Sequence, residues 1–388
     1  MSPLFFTVVI ICVLAGAEVD LFIPSFPELQ KVFDLSPFMV QLTLSANFVS
    51  YCLCSLFIGI MGDRYNRRHV MLGSLGIFVL GSIFCVFALN FPMLILGRFL
   101  QGAGMAGPAV LAFVVIADKY PIEKQSAMLG MLNGVVTLAM AFAPVVGSYV
   151  NLYFNWRGNF VILLGLGIAA LIASYFVIPN RKADPTISLS LKSYGALLAS
   201  KKLMMFVLTI CFLASAFWTF IGMAPIVYME GMGVNLKHFG FYQGAVAGAF
   251  SILSLLSPKL LASFGKKNCL YYSIILYVIG SVLLTAIMLL GIESPLMVTG
   301  VMIIYAVAAV FPVNILYPES LELIQNSKSR TAAIINSGRL LLTAAMLELV
   351  SYYYVGKFLP LGIAIIGMIV LGLLFIWAIL RKEWISIE

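Results

Sequence analysis

Charged side chains are scarce in this sequence of 388 residues. Only 10% of the residues are Asp, Glu, Lys or Arg, while 62% are hydrophobic. Soluble domains carry about 25% charged residues, so this chain has too few of them to cover a soluble surface. The composition therefore excludes an ordinary soluble domain and predicts a membrane protein that crosses the bilayer many times.

Residue patterns that build catalytic and metal sites are also rare. The two histidines, His69 and His238, lie far apart, and the absence of an H-E-x-x-H pair argues against a zinc site. No G-x-x-x-x-G-K-[ST] loop is present, so we expect an ion gradient rather than ATP hydrolysis to supply energy. The six cysteines lie in apolar stretches and indicate no disulfide framework. We expect neither an enzyme nor a bound cofactor or metal.

Long apolar stretches dominate the sequence instead. A helix needs about 20 mostly apolar residues to cross about 30 Å of hydrocarbon, and twelve stretches reach that length. They begin near residues 4, 39, 70, 93, 125, 158, 203, 237, 269, 295, 331 and 358, and we number them spans 1 to 12. The predicted fold class is an all-α polytopic membrane protein with twelve transmembrane helices.

The first stretch, LFFTVVIICVLAGAEVDLFIPSFPEL, admits two interpretations. Its small residues before Glu18 resemble a signal-peptide cleavage site, but MSPLFF lacks the basic residues of a signal-peptide leader. If the stretch is retained, Leu4 to Ala17 rises only about 21 Å, which is too short to span. We therefore expect the first helix to run on to about Pro24, which places Glu18 and Asp20 inside the membrane.

The basic residues are distributed unevenly among the loops. Seventeen of the 23 Lys and Arg residues lie in one set of alternate loops, and the other set holds only Lys31, Arg157, Lys237 and Lys357. Cytoplasmic loops carry the excess of basic residues, so we expect a plasma (inner) membrane protein with both termini in the cytoplasm. Because the basic residues are scattered over many short loops, the net charge of +8 does not indicate a nucleic-acid partner.

One long polar stretch divides the chain. PNRKADPTISLSLKSYGALLASKK, at 179–202, has six spans on each side, and NRRHVML (66–72) is echoed by GKKNCLY (265–271) about half the chain later. We expect an N-terminal six-helix half at 1–178, a cytoplasmic linker at 179–202 and a C-terminal six-helix half at 203–388. Two such halves are typical of transporters that bind a small-molecule substrate near the membrane midplane, and we expect the chain to act as a monomer.

Five ionisable residues fall within spans, where each costs about 2.5 to 3.5 kcal/mol at the bilayer centre. They are Glu18, Asp20, Arg98, Arg339 and Glu348. The cost predicts that they face a cavity or one another. Glu348 lies near the outer end of span 11, where a charge that pairs helices or reaches the interface is an equally good interpretation.

Asp20 and Arg98 lie at similar predicted depths. If span 1 ends near Pro24 and span 4 begins near Pro92, Asp20 is about 6 Å and Arg98 about 9 Å below the outer edge. A carboxylate beside an Arg is held ionised, whereas a desolvated carboxylate without that partner can keep a proton. We therefore hypothesise that this pair is a protonation switch.

Polar and aromatic residues on several spans are candidates to line a substrate cavity. Each is also a common interhelical hydrogen-bonding residue, so both interpretations stay open. The aromatic side chains at 217, 218 and 220 can stack on a substrate or face lipid. The candidates for substrate binding are Asn47, Tyr51, Gln101, Asn133, Thr137, Trp218, Tyr305, Asn314, Asn336 and Arg339.

Short motifs resemble those of one transporter family. GIMGDRYNRR (59–68) resembles the loop signature G-x-x-x-D-R-x-G-R-R of the major facilitator superfamily, with Asn66 where glycine is usual. Asparagine tolerates the left-handed backbone that glycine would supply there. RFLQGAG (98–104) is similar to the family's R-x-x-Q-G motif. APVVGS (143–148) is similar to the antiporter motif G-P-x-x-G-G, although Ala and Ser replace two of its glycines.

Two further stretches resemble one branch of that family. DLFIPSFP (20–27) and NWRGNF (155–160) are similar to the bicyclomycin and chloramphenicol resistance branch of the twelve-span drug/proton antiporters. The resemblance implies the major facilitator fold and a proton-coupling role for Asp20 and Arg98, with Glu18 as a second proton site or a cation contact. It also implies that a set of loop and span 5 residues controls gating, namely Asp63, Arg64, Arg68, Pro144 and Gly147.

The function expected is proton-coupled export of small amphipathic or cationic drugs by alternating access. The acids of span 1 favour cationic or neutral cargo over anions, unless Arg98 or Arg339 compensates. Three alternatives stay open: a dedicated metabolite or siderophore exporter of the same fold, a proton-coupled nutrient importer, and a scaffold or sensor that moves no solute.

Overall fold

The apolar stretches form α-helices. The computed structural model describes residues 3–119, 122–180, 194–324, 328–382 and 384, and these residues contain twelve α-helices and no β-strand. The helices are α1 (Pro3–Ala17), α2 (Phe26–Phe33), α3 (Pro37–Arg64), α4 (Arg67–Val86), α5 (Phe91–Lys119), α6 (Ile122–Val177), α7 (Gly195–Ala199), α8 (Lys201–Pro225), α9 (Leu236–Leu289), α10 (Pro295–Glu322), α11 (Lys328–Tyr352) and α12 (Leu359–Arg381).

Nine helices of the described residues are long and apolar enough to cross a membrane. Two of them, α6 and α9, contain 56 and 54 residues and each bends where one residue leaves the helical region. These residues are Asn155 (φ 55°) and Gly265 (φ 76°), and each bend separates two of the predicted spans. Because α6 and α9 each supply two spans, the nine helices account for eleven spans, and α1 supplies the twelfth. The predicted twelve-helix fold class is confirmed.

The expectation that the first helix runs on to Pro24 is wrong. Helix α1 ends at Ala17, residues 18–22 form turns, and a short 3-10 helix (Ile23–Ser25) precedes α2. Proline has no N–H to donate to the carbonyl four residues earlier, and its ring crowds the preceding turn. Pro24 therefore interrupts the helix at the level of Asp20. We call residues 18–22 the α1 break.

The loop between α3 and α4 corrects a second expectation. Asn66 does not adopt the left-handed backbone, since its φ is −63° and its ψ is 115°. It caps α4 instead, because its Oδ1 accepts a 3.0 Å hydrogen bond from the backbone N–H of Arg68. Nearby, Arg67 Nε donates to the carbonyl of Gly62 (3.2 Å) and the Arg68 guanidinium donates to the carbonyl of Tyr175. The loop therefore ties together the ends of α3, α4 and α6.

The chain separates into two compact units, Met1–Ser190 and Leu191–Glu388. In the first unit, α5 packs against α3 and α4, and α1 packs against α6. In the second unit, α8 packs against α11 and α12, and α9 packs against α10. Of the predicted linker at 179–202, residues 181–193 lie outside the described residues, so the bounds of the linker and halves stay a prediction.

Candidate functional site

A buried ion pair lies at the α1 break. Arg98 Nη1 of α5 is 3.4 Å from Glu18 Oε1, and the two side chains are 0% and 4% exposed. Removing a charge from water costs several kcal/mol unless a partner and further hydrogen bonds compensate. The pair therefore couples the interrupted first helix to α5 in the interior of the first unit.

Two amide side chains hold the pair from either side. Asn47 Nδ2 of α3 donates to Glu18 Oε1 (2.6 Å) and to the carbonyl oxygen of Arg98 (3.2 Å). On the other side, Arg98 Nη1 donates to Gln101 Oε1 (2.7 Å), and Gln101 Nε2 donates to Ser82 Oγ of α4 (2.8 Å). Because Nη1 contacts Gln101 more closely than Glu18, the guanidinium has a neutral partner that does not depend on the charge of Glu18.

Aromatic rings cover the guanidinium. Its Cζ is 4.9 Å from the ring centroid of Phe22 and 5.9 Å from that of Phe160, and both rings are buried. Cation–π contacts of this kind contribute about 0.5 to 2 kcal/mol each. Arg98 Nε also donates to the carbonyl of Thr43 (3.4 Å), while Nη2 has no protein hydrogen-bond partner among the described residues. The two N–H groups of Nη2 are therefore left for a second carboxylate oxygen or a water.

Asp20 lies two residues beyond Glu18 on the same break and is 2% exposed. The carboxylate of Glu18, which lies outside the DLFIPSFP stretch, contacts Arg98 in this structure. The Asp20–Arg98 switch therefore stays a prediction. Glu18 joins it as an acid that contacts Arg98 in this structure.

A second polar cluster lies just beyond the α1 break. Ser25 Oγ donates to Asn151 Oδ1 (3.2 Å), and Asn159 Nδ2 donates to Ser25 Oγ (2.9 Å) and to the carbonyl of Gly147 (3.2 Å). The cluster fastens the end of the break to both halves of the bent helix α6. In the sequence, DLFIPSFP contains Ser25 and NWRGNF contains Asn159, but neither stretch shows that the two side chains meet.

Gly147 lets α6 approach the α1 break. A Cβ at this position would overlap the carbonyl oxygen of Leu21, a backbone atom that can move only with the break itself. Pro144 is buried one turn earlier, and its carbonyl accepts a 2.8 Å hydrogen bond from Ser148 Oγ. Gly147 of the span 5 motif thus lies against the segment that carries the acids.

We expect Gly147→Ala to displace the α1 break and to reduce transport at least tenfold. Overpacking of this kind costs about 1 to 3 kcal/mol, and here the strain falls on the backbone next to Glu18. Gly165→Ala is the matched control, because Gly165 lies on the same helix with open space where a Cβ would be. Cargo flux per molecule of membrane-inserted protein measures the effect, and equal flux in the two variants would contradict it.

The remaining described candidates of the first unit are Arg64, Thr137 and Tyr51. Arg64 is half-buried, with its Cζ 5.7 Å from the ring of Tyr65. Thr137 Oγ1 donates to the carbonyl of Gly134 (3.0 Å), a contact within its own helix, and Tyr51 is half-buried on α3. The side chains of Asp63 and Asn133 lie outside the described part of the structure.

In the second unit, two candidates make interhelical hydrogen bonds. Tyr305 OH donates to Ser281 Oγ (3.1 Å), and Asn314 Nδ2 donates to Ser257 Oγ (2.7 Å). These contacts join α10 to α9. They favour the packing interpretation for Tyr305 and Asn314.

The other three candidates of the second unit come together. The Cζ of Arg339 lies 5.4 Å from the ring centroid of Trp218, so α11 and α8 meet there. Asn336 is one turn earlier on α11, near Tyr317 of α10, a residue that the sequence does not single out. All four side chains are half-buried.

Comparisons with known proteins agree with this architecture. The family model described as Major Facilitator Superfamily matches residues 8–347. A protein of an Escherichia coli strain named "Multidrug resistance protein MdtL" is 26% identical over 269 residues, which are 69% of this chain and 69% of that protein.

Solved transporter structures share the fold at low sequence identity. A D-xylose-proton symporter superposes with a TM-score of 0.74 at 13% identity, over 96% of this chain and 97% of that chain. A bacterial homologue of the human lysosomal transporter Spinster gives 0.71 at 17% identity, over 97% and 94%. With a family match over nearly its whole length, a twelve-helix architecture and transporter relatives, this chain belongs to the Major Facilitator Superfamily and is a membrane transporter, not an enzyme.

Proposed function

We propose that this chain exports small amphipathic or cationic drugs in exchange for protons, by alternating access and with both termini in the cytoplasm. The observation that carries the proposal is the buried Glu18–Arg98 pair at the α1 break. A buried acid that gains and loses a proton is the part a proton-coupled transporter needs inside the membrane. The relative named as a multidrug resistance protein supports drugs as the cargo.

Protonation of Glu18 changes the forces on the α1 break. Ionised Glu18 accepts hydrogen bonds from Asn47 and Arg98 and ties the break to α5 through an ion pair. When Glu18 takes a proton, that ion pair is lost, while the guanidinium keeps its 2.7 Å contact with Gln101 Oε1. The break is then free to move relative to α5 without leaving the cation unpartnered.

A proton shifts a conformational equilibrium only if it binds the two conformations with different free energies. Here the ionised state favours the paired arrangement, and the protonated state tolerates arrangements in which Glu18 leaves Arg98. Proton uptake from outside and release to the cytoplasm therefore drive alternation. A gradient of one pH unit with 100 mV supplies about 3.7 kcal/mol per proton, enough for a gradient of about 500-fold in a neutral cargo exchanged one for one. For a monovalent cation the exchange moves no net charge, so only the pH difference contributes and the gradient is about tenfold.

Proteoliposomes with a trapped pH indicator and an acidic interior test the proposal. Addition of chloramphenicol or ethidium outside should raise the internal pH, because inward cargo movement is exchanged for outward proton movement. Internal acidification on cargo addition would indicate symport, and cargo movement without a pH change would rule out coupling. If neither compound moves, the drug proposal fails and a carrier dedicated to one metabolite becomes the better interpretation.

A further inference from the structure

A cation lies near the midpoint of a transmembrane helix in the second unit. Arg339 belongs to the 25-residue helix α11, about 16 Å along the axis from the helix start at Lys328. A charge at such a depth costs about 2.5 to 3.5 kcal/mol on insertion scales, and intramembrane charges commonly mark substrate or ion pathways. The mechanism described above makes no use of Arg339.

Backbone contacts fix the surroundings of this cation. The carbonyl of Arg339 accepts hydrogen bonds from Ser215 Oγ of α8 (3.0 Å) and Thr343 Oγ1 (2.8 Å). A Cβ on the adjacent Gly338 would lie only 3.0 Å from Cys211 Sγ, so α8 and α11 are in close contact here. The indole of Trp218 is therefore held beside the guanidinium by the helix packing.

Two polar groups complete the surroundings. The side chain of Tyr317 lies near both Asn336 and Arg339. We call Trp218, Tyr317, Asn336 and Arg339 the Arg339 cluster. All four members are partly accessible, so the cluster presents a ring face, a cation, an amide and a phenol together.

This combination suits one class of ligand. The N–H groups of a guanidinium form a planar fork that matches the two oxygens of a carboxylate. The indole offers a flat apolar surface for an aromatic ring. A cationic group at about 4 Å from Arg339 would instead be repelled by about 4 kcal/mol at an effective dielectric constant of 20.

We infer that the Arg339 cluster binds aromatic cargo through a carboxylate or a similar planar anionic group. The inference rests on the proposed transport function and adds to its cargo aromatic molecules that carry such a group, zwitterions included. Trp218 stacks on the cargo ring, Arg339 pairs with the anionic group, and Asn336 and Tyr317 supply further hydrogen bonds.

Calorimetric titration of the full detergent-purified chain with 2-naphthoate and 2-naphthamide tests the inference. The two probes share ring and shape but differ in charge. We expect 2-naphthoate to bind at least about tenfold more tightly. Arg339→Gln should remove this preference, and Arg339→Lys should keep part of it. Arg381→Gln is the matched control, because Arg381 also lies over an indole, that of Trp377 at 5.3 Å, but at the exposed end of α12.

Three results would overturn the inference: equal affinity for the two probes in the natural chain, no binding of either, or a preference that survives Arg339→Gln. The first two need no variant, so a poorly folded substitution cannot obscure the outcome. The calorimetric measurement of binding does not require the chain to transport cargo. A clear preference for 2-naphthoate in a chain that shows no proton movement in liposomes would contradict the proposed function and leave this inference standing.

Discussion

Glu18→Gln is expected to abolish the internal pH rise that cargo causes in proteoliposomes, while the chain stays folded in the membrane. Glutamine keeps an oxygen that accepts from Asn47 Nδ2 and Arg98 Nη1, the two donors that contact Glu18 in the structure. It cannot take up or release a proton. Exchange of cargo for cargo across the membrane needs no proton and should therefore persist, which separates loss of coupling from loss of structure.

Two other acids serve as comparisons for this variant. Asp20→Asn tests the acid in DLFIPSFP, the stretch that resembles the drug/proton antiporters. Glu28→Gln changes a half-buried acid of α2 that lies outside the ion pair. We expect Glu28→Gln to keep the pH response. If Asp20→Asn abolishes coupling and Glu18→Gln does not, Asp20 is the coupling acid and the Glu18–Arg98 pair is structural. If neither substitution changes coupling, protons do not pass through the α1 break.

Arg98→Met is expected to destabilise the chain strongly, and the double variant Glu18→Gln with Arg98→Met is expected to recover most of that stability. Removing one member of a buried pair leaves the other uncompensated and costs about 3 to 5 kcal/mol. Removing both charges avoids that cost, because neutral replacement of a buried pair is often close to neutral. The midpoint of thermal unfolding in detergent, compared at one protein concentration, measures both effects.

The double variant should recover its thermal stability but remain inactive in the pH assay. This result would distinguish the role of the pair in stability from its role in proton coupling. Arg381→Met is the control for the loss of a positive charge from a helix, since Arg381 is exposed at the end of α12. Additive shifts, in which the double variant is as unstable as the sum of the single variants, would show that Glu18 and Arg98 do not interact energetically. In that case the 3.4 Å contact would have no role in stability.

Several local features were predictable because they depend on short stretches of chain. Apart from α2 and α7, which match no predicted span, every helix begins within three residues of the predicted start of a span. The apolar length needed to cross a bilayer is a strong constraint. The bend at Gly265 falls at the predicted loop between two spans. The end of α1 at Ala17 was harder to predict, because the length rule favours a continuous helix and the effect of Pro24 opposes it.

The candidate site was predictable as a set of residue types but not as a set of contacts. Glu18, Asp20 and Arg98 stand out because charges are costly in lipid. The depth of a residue in the membrane does not show which of two acids, two residues apart, contacts Arg98. Because the helix is interrupted at these residues, helical geometry does not predict the direction of either side chain. Ser82 and Tyr317 are ordinary polar residues in the sequence. They acquire a role through contacts with Gln101 and Asn336, which belong to other helices.

The amino-acid sequence is enough to predict twelve membrane spans, a resemblance to the major facilitator transporters and charges inside the spans. Composition, apolar length and short motifs are local properties, and each is sufficient for its conclusion. The tertiary structure alone decided that Glu18 meets Arg98, that Asn47 and Gln101 hold the pair, and that Trp218 lies beside Arg339. The physical reason is that such pairings depend on how helices far apart in sequence pack, which close contacts such as Gly147 on Leu21 and Gly338 on Cys211 determine.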